Sequence, residues 1–415
     1  MKKRVPVNDL EFGMFVAELD RPWLDSPFLF QGFLIEGNEE LETLREVCDF
    51  VYVDTQRSLD RIPDSHGAPA SAVALEKLPA RLRESVIAAR ANDPQRFAQQ
   101  YQEVVSLQKR AHLALIRLLD ERRLGKLVHV DAVLEVVNDL TASILQNPNV
   151  ALWLTKLREQ DEFNAAHSIN TCILAVAFGR HLGLPRDVLE AIGLGAMLHD
   201  IGLNEPSNDI IRSKVRLDTD DFKLVRRHPL DGMFSLKRLD DLPRITRDII
   251  RWHHERIDGS GYPHGLKGDE IPETVRIAGI ADVYDAMTSD RAYRRAMQPP
   301  DALAELSRDA DRTFGKDLVR SFIHCVGIYP VGSVVKLNTG AIAMVASTFP
   351  GMRLSPLVLI LKDSHGRHMN PRRMINLASM QKDGKRTWSI DKAVDPVAHG
   401  INITSIAVDE IRAFG

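Results

Sequence analysis

The 415-residue sequence predicts a multidomain α+β protein. An all-α helical bundle is expected in the centre, with a small α/β module before it and a small β-rich domain after it. The length predicts roughly two to three domains. In the centre, apolar residues recur at helical spacings, whereas both ends alternate short apolar runs with turn residues.

The N-terminal module is expected over residues 1–60, as short strands around one helix. Its apolar, aromatic-rich runs at 12–19 and 30–35 are typical of strands. Asn38 is a good N-cap for the helix, and acidic residues follow it in the first turn. The next segment, 61–80, is rich in Pro, Ala and Ser, which predicts a linker.

A helical connector is predicted over residues 81–150, before the central domain at 151–323. Two apolar stripes support it: Leu113, Ile116 and Leu119, and then Val133, Val136, Val137 and Leu140. Such helices could be plain core, a homodimerising bundle or a signalling element. The β-rich domain is expected over 324–415, where apolar runs are split by Pro and Gly.

The central domain carries five histidines and two aspartates in a pattern that packing alone does not require. These are His167, His199, Asp200, His228, His253, His254 and Asp282. Imidazole and carboxylate are ligands that Fe, Mn, Ni and Zn share. Adjacent donors on a helix point ~100° apart, so several helices must meet to complete a metal site.

Two segments around these donors are specific. Residues 198–202 read LHDIG, and residues 253–263 read HHERIDGSGYP. Over about 160–312, the sequence resembles the HD-GYP family, metal-dependent phosphodiesterases of the HD superfamily. The resemblance implies an HD-type bundle that hydrolyses cyclic di-GMP to linear pGpG and onward to GMP. It puts all seven donors at metal-ligand positions, with His199 and Asp200 as the catalytic pair.

The resemblance also implies the metal content. Asp285 lies one turn beyond Asp282 and is the rival carboxylate, but the family pattern places the ligand at Asp282. Family members with a third metal use a glutamate where this chain has Phe163, so two divalent ions are expected. Iron is the first expectation on family grounds, and manganese, nickel or zinc would suit the same donors.

The resemblance implies substrate contacts as well. Arg291 and Arg294 match positions that bind the phosphates, where guanidinium can act bidentately. Gly261 and Tyr262 belong to a loop whose glycines indicate close backbone approach to a ligand or protein. Tyr262 could stack on a guanine, or it could contact a diguanylate cyclase, a partner that the family implies.

Leu203 departs from the family pattern, which has a lysine there that reaches a substrate phosphate. Lys214 or Arg216 could replace that cation. A slow cyclic di-GMP phosphodiesterase is therefore expected, which Leu203→Lys should accelerate. The alternative is a weak or inactive cyclic-dinucleotide sensor or interaction scaffold that retains its metals. A general HD phosphohydrolase is disfavoured, because simpler HD enzymes lack the GYP loop.

Net charge, cysteine spacing and hydropathy indicate which partners and which cellular compartment to expect. The net charge of −3 does not indicate a nucleic-acid polymer as partner. The three cysteines lie far apart, which favours a reducing compartment. The start of the chain lacks a signal-peptide pattern, and no apolar run is long enough to span a membrane. The cytoplasm is the expected location.

Overall fold

The computed structural model describes thirteen stretches of the chain. They are residues 2–11, 14–21, 33–35, 38–54, 94–126, 128–155, 163–203, 219–236, 242–290, 295–349, 352–382, 385–403 and 405–406. The chain divides into two compact units, 1–92 with 336–391 and 93–335 with 392–415. The predicted linker at 61–80 lies outside the described residues.

The N-terminal module is a four-stranded antiparallel sheet with one helix. Its elements are β1 (Lys2–Pro6), β2 (Phe15–Leu19), β3 (Phe33–Leu34), α1 (Asn38–Val47) and β4 (Phe50–Asp54), and the strand order is β1-β4-β2-β3. Val16, Ile35, Leu44 and Val51 are fully buried in its core. Strand β1 was not predicted, because it buries only Val5 and so lacks an alternating apolar pattern.

The C-terminal part of the chain is rich in strands. They are β5 (Val334–Leu337), β6 (Ile342–Phe349), β7 (Met352–Lys362), β8 (His368–Asn376), β9 (Gln381–Lys382), β10 (Lys385–Arg386) and β11 (Ile390–Ala393). Five of them form a sheet in the order β11-β5-β6-β7-β8, and β9 pairs with β10. The predicted β-rich character is therefore confirmed.

Helices build the middle of the chain. They are α2 (Pro94–Arg123), α3 (Asp131–Gln146), α4 (Pro148–Leu154), α5 (Phe163–His181), α6 (Arg186–Leu198), α7 (Thr219–Val225), α8 (His228–Ser235), α9 (Arg244–Trp252), α10 (Glu273–Thr288), α11 (Pro299–Thr313) and α12 (Lys316–Val326). The predicted fold class, multidomain α+β with a helical bundle, is confirmed.

Helices α5 and α10 form the middle of this bundle. Helix α5 packs against α2, α3, α6 and α10. Nearly every described side chain of α5 from Ala165 to Gly179 is buried, and α10 is likewise buried on several sides. A helix that is apolar all round has no solvent face, so polar groups on it must find partners inside the protein. His167 and Asp282 are such groups.

The apolar stripe that predicted helix α2 is not the face of α2 that is buried. Leu113 is 67% exposed, so it is not a core residue. The buried stripe of α2 is offset from the predicted one and consists of Val104, Leu107, Ala111, Leu115 and Leu118. In α3 the predicted stripe is confirmed, because Val133, Val136, Val137 and Leu140 are all buried. Spacing predicts the period of a helix but does not choose between two overlapping stripes.

Within the described residues, none of the helices combines the length and the apolar character that crossing a membrane requires.

Candidate metal centre

The structure brings all seven predicted donors together in two groups. The first group is His167, His199 and Asp282, and the second is Asp200, His228, His253 and His254. Within each group, one ligand atom from every residue lies within 4.8 Å of the others. The two groups adjoin, because His199 and Asp200 are consecutive and the Nε2 of His199 lies 3.3 Å from Oδ2 of Asp200.

A tight turn positions Asp200 beside His228. Helix α6 ends at Leu198, and the chain turns so that the Leu203 N–H donates to the Asp200 carbonyl. A Cβ at Gly202 would overlap the backbone carbonyl of His228 at the start of α8. Glycine is therefore required for this close approach. The approach leaves Oδ1 of Asp200 3.3 Å from Nε2 of His228.

Backbone carbonyls orient three of the imidazoles. Each of these rings directs its Nδ1 at a carbonyl of the preceding helical turn. The acceptors are Ala196 for His199 (2.7 Å), Val225 for His228 (2.8 Å) and Ile249 for His253 (3.1 Å). When Nδ1 carries the proton and donates it, Nε2 is left with a lone pair, which is the form of histidine that binds metals.

A carboxylate orients the fourth imidazole. The Nδ1 of His167 lies 2.7 Å from Oδ2 of Asp285, and its Nε2 lies 3.0 Å from Oδ1 of Asp282. Asp285 also accepts hydrogen bonds from the Asn170 amide and the Ser289 hydroxyl. Asp282 thus belongs to the first donor group. Its rival Asp285 lies instead at the Nδ1 side of the His167 ring and orients that ring. Carboxylate–histidine–metal chains of this kind are common in metal sites.

The protonation states of the second group suit metal binding. Burial, together with the imidazoles of His199 and His228, lowers the pKa of His253 to about 3. Burial likewise holds the pKa of His254 well below its usual range. Burial opposes ionisation of Asp200, but the nearby His199 and His228 rings still hold its pKa well below the usual range. Ionised carboxylate and neutral imidazole are the forms that coordinate metals.

His167 differs because both of its ring nitrogens face carboxylates. Although burial lowers it, the hydrogen bonds to Asp282 and Asp285 raise the pKa of His167 to about 10. A metal ion at Nε2 would replace the proton shared with Asp282, while Nδ1 keeps its bond to Asp285.

Two further features fit divalent metal ions at these donors. The buried Nε2 of His199 makes no hydrogen bond with the described residues. The Nε2 atoms of His228 and His253 face each other at 3.1 Å, although both rings direct Nδ1 at carbonyls. Facing lone pairs repel unless a cation or a proton lies between or beside them. The site therefore fits metal binding on its own chemistry.

The Gly261–Tyr262 loop lies against the second group. The Tyr262 ring stacks on the His254 ring, with centroids 4.5 Å apart and planes inclined by 26°. The guanidinium carbon of Arg226 lies 5.1 Å from the Tyr262 ring centroid. A Cβ at Gly261 would overlap the backbone of residues 254–256, so glycine lets the loop pack closely there. The substrate contact predicted for Gly261 stays a prediction.

Comparisons with known proteins agree with this geometry. Three family models match the chain: a domain of unknown function, DUF3391, at residues 2–133, an HD domain at 152–318, and a KOW domain associated with HD domain at 334–399. Cyclic di-GMP phosphodiesterase PA4108 of Pseudomonas aeruginosa is 32% identical over 379 residues, covering 91% of this chain and 89% of its own. The chain belongs to the HD-GYP family.

Other relatives match a smaller share of the chain. Cyclic di-GMP phosphodiesterase PdeB of Borreliella burgdorferi is 30% identical over 183 residues, covering 44% of this chain and 48% of its own. The 3′3′-cGAMP-specific phosphodiesterase 1 of Vibrio cholerae is 33% identical over 142 residues, covering 33% of this chain and 32% of its own.

Several predicted HD-GYP substrate residues lie outside the described part of the chain. These are Arg291 and Arg294, and the candidate replacement cations Lys214 and Arg216. Leu203 is described, and its side chain is only 7% exposed. Position 203 is therefore buried in this protein.

Sequence reasoning gave no role to two residues beside the HD-GYP site. The Glu255 carboxylate is buried and accepts hydrogen bonds from the N–H groups of His264 (2.7 Å) and Leu266 (3.0 Å), which ties the loop to the His253–His254 pair. Arg226 is the second, placed against Tyr262. The available signals were the position of Glu255 next to His254 and that of Arg226 two residues before His228.

Proposed function

We propose that this protein hydrolyses cyclic di-GMP to linear pGpG, and onward to GMP, with two divalent metal ions. The observation that carries the proposal is the pair of buried donor groups whose imidazoles are oriented by carbonyls and a carboxylate. Similarity to PA4108 along nearly the whole chain supports the substrate. Iron is our first choice of metal, with manganese, nickel and zinc as candidates.

The metal ions and the residues that hold them would have different roles in the reaction. Bound divalent ions would activate water as a nucleophile and offset the charge that builds on the phosphate. His167, His199 and Asp282 would hold one ion, and Asp200, His228, His253 and His254 the other. The pair His199–Asp200 joins the two groups and is our catalytic pair, and a carboxylate such as Asp200 can serve both ions.

Substrate recognition is proposed for two arginines and for the Gly261–Tyr262 loop. We assign phosphate contacts to Arg291 and Arg294, and a guanine-stacking face or a diguanylate cyclase contact to Tyr262 in its loop. Arg226 adds a cation beside the same ring, and its position would let it reach a phosphate held near His254. Gly261 is proposed to bring the loop backbone close to the substrate.

The deciding experiment is incubation of purified, metal-loaded protein with cyclic di-GMP and, separately, with 3′3′-cGAMP. Chromatography should show pGpG from cyclic di-GMP, and Asp200→Ala should abolish it. Similarity to a 3′3′-cGAMP-specific relative makes the second substrate a necessary comparison. Preferential cleavage of 3′3′-cGAMP would change the substrate assignment, and no cleavage of either would reject the enzyme.

The alternative is a sensor or scaffold that binds cyclic di-GMP without turning it over. Leu203 favours it, because it stands where the family has a lysine and its buried side chain can neither donate a hydrogen bond nor carry a charge. Slow turnover is the intermediate outcome, since losing a charge-assisted hydrogen bond worth roughly 1.5–3 kcal/mol corresponds to about ten- to a hundredfold in rate. Binding measured by calorimetry without product formation would identify the sensor.

The cellular location and the oligomeric state are proposals as well. We propose a cytoplasmic protein, in line with the absence of a membrane-crossing helix from the described residues. The connector is proposed as a homodimer contact, because Leu113 and Leu124 on or just after α2 are 67% and 65% exposed. Sedimentation analysis of Leu113→Glu against wild type would test the dimer. A nucleic-acid polymer is not a proposed partner.

A further inference from the structure

We propose that Arg122 is a positioning residue for the second donor group, a role that rests on the proposed metal centre. Its guanidinium joins the end of helix α2 to both segments that supply Asp200 and His228. Arg122 lies within residues 2–133, the part of the chain matched by the domain of unknown function. The inference therefore gives the helix at the end of that region, Pro94–Arg123, a role at the proposed metal centre.

Three hydrogen bonds carry the proposal. The Arg122 guanidinium donates from Nη1 to the Leu203 carbonyl (2.6 Å), from Nη2 to the Gly202 carbonyl (2.9 Å) and from Nε to the Ser235 hydroxyl (3.0 Å). Gly202 and Leu203 follow Asp200 directly, and Ser235 is the last residue of the helix that begins at His228. The planar Arg122 guanidinium thus holds both the turn that follows Asp200 and the helix that begins at His228.

The chemistry of arginine suits this role. Its side chain is partly buried, and that burial lowers the pKa of Arg122, although guanidinium remains charged at any ordinary pH. Hydrogen bonds from a charged donor are roughly twice as strong as neutral ones. Arginine holds its donors in a rigid fork, so two adjacent carbonyls can be bound with a defined orientation.

The junction that Arg122 holds is tight for an independent reason. Gly202 lies so close to the His228 carbonyl and to Gly232 that a Cβ would not fit. Because Gly202 has no side chain that could interlock with helix α8, the alignment of the turn and the helix depends on hydrogen bonds nearby. A small shift there would change the separation of Asp200 Oδ1 and His228 Nε2, now 3.3 Å. The first donor group takes two of its three residues, His167 and Asp282, from other helices.

Arg122→Ala tests the proposal through metal binding, with Mn²⁺ as the probe. Wild type and variant are stripped, titrated with Mn²⁺ by calorimetry and examined by elemental analysis. We expect one ion to bind Arg122→Ala almost as in wild type, and the affinity for the second to fall at least about tenfold, as for other residues that orient ligands. Arg122→Lys keeps one charged donor and should show a smaller loss.

Arg117→Ala is the matched control, because Arg117 lies on the same helix with a side chain that is 80% exposed. It should bind both ions as wild type does. The proposal is overturned if Arg122→Ala melts at a lower temperature but keeps both affinities, since Arg122 would then only pack the helix. Equal weakening of both ions in Arg122→Ala and Arg122→Lys would also overturn it. Two normal Mn²⁺ sites in wild type without hydrolysis would count against the proposed enzyme and leave this test intact.

Discussion

Asp285 determines how His167 presents its ring to the first donor group. We expect Asp285→Asn to weaken binding of the ion at the first donor group about 10- to 100-fold. The reason is that an amide replaces the charged acceptor at Nδ1 of His167 and makes this imidazole less basic. Calorimetric titration with Mn²⁺ measures this. Asp309→Asn is the control, since Asp309 is exposed on α11. Equal affinities in the two variants would show that Asp285 does not orient the ligand.

The burial of Leu203 changes what a lysine at this position is expected to do. Leu203→Lys should lower the free energy of unfolding by roughly 2–4 kcal/mol, because a buried apolar side chain is lost and an ammonium must be desolvated. Urea denaturation measures the loss. Val397→Lys is the control, since Val397 is 77% exposed and should change stability by only about 0.5 kcal/mol. A stable and faster Leu203→Lys protein would show instead that the position reaches the substrate.

At the level of elements, Glu255 fastens the glycine-rich loop to the end of α9. We expect Glu255→Gln to loosen the loop, because a neutral amide accepts the His264 and Leu266 N–H bonds less strongly than a carboxylate does. Hydrogen exchange should become faster at both amides. Turnover of cyclic di-GMP should fall with it if Tyr262 positions substrate.

Glu270→Gln is the control for that loop variant. Glu270 also accepts a backbone N–H, from Lys267, but at an exposed position. Its substitution should leave exchange at His264 and Leu266 unchanged. If both variants speed exchange equally, the loop is generally mobile and Glu255 has no special role.

For the molecule as a whole, metal binding and stability should be coupled in one unit only. All seven donors lie in the unit formed by residues 93–335 and 392–415. Ions that bind the folded state alone stabilise it by about 2.7 kcal/mol at a hundred times the dissociation constant. Removing them with EDTA should therefore lower the melting temperature of that unit and leave the other transition in place.

Scanning calorimetry with elemental analysis checks this prediction. The untreated protein should contain two ions per chain, and Asp200→Ala should contain few and respond little to EDTA. A content near three would contradict the expectation based on Phe163. A shift of both transitions would show that the two units unfold together.

The sequence by itself determined the class of the fold and the set of donors. Helical and strand periodicities depend on neighbouring residues, so they predicted the helical bundle and the strands at both ends. The adjacent pairs His199–Asp200 and His253–His254 were visible in the motifs. Strand β1 was missed because it buries only Val5, so that its pairing with the distant β4 leaves no apolar pattern in its own sequence.

Only the tertiary structure decided how these donors are divided and supported. Asp282 and Asp285 share one helix a turn apart, and the packing of α5 against α10 determines which of them faces His199 and which lies behind His167. The hydrogen bonds from Arg122 to the Gly202 and Leu203 carbonyls likewise join segments about 80 residues apart. Local patterns specify helices, but contacts between distant segments depend on how those helices pack.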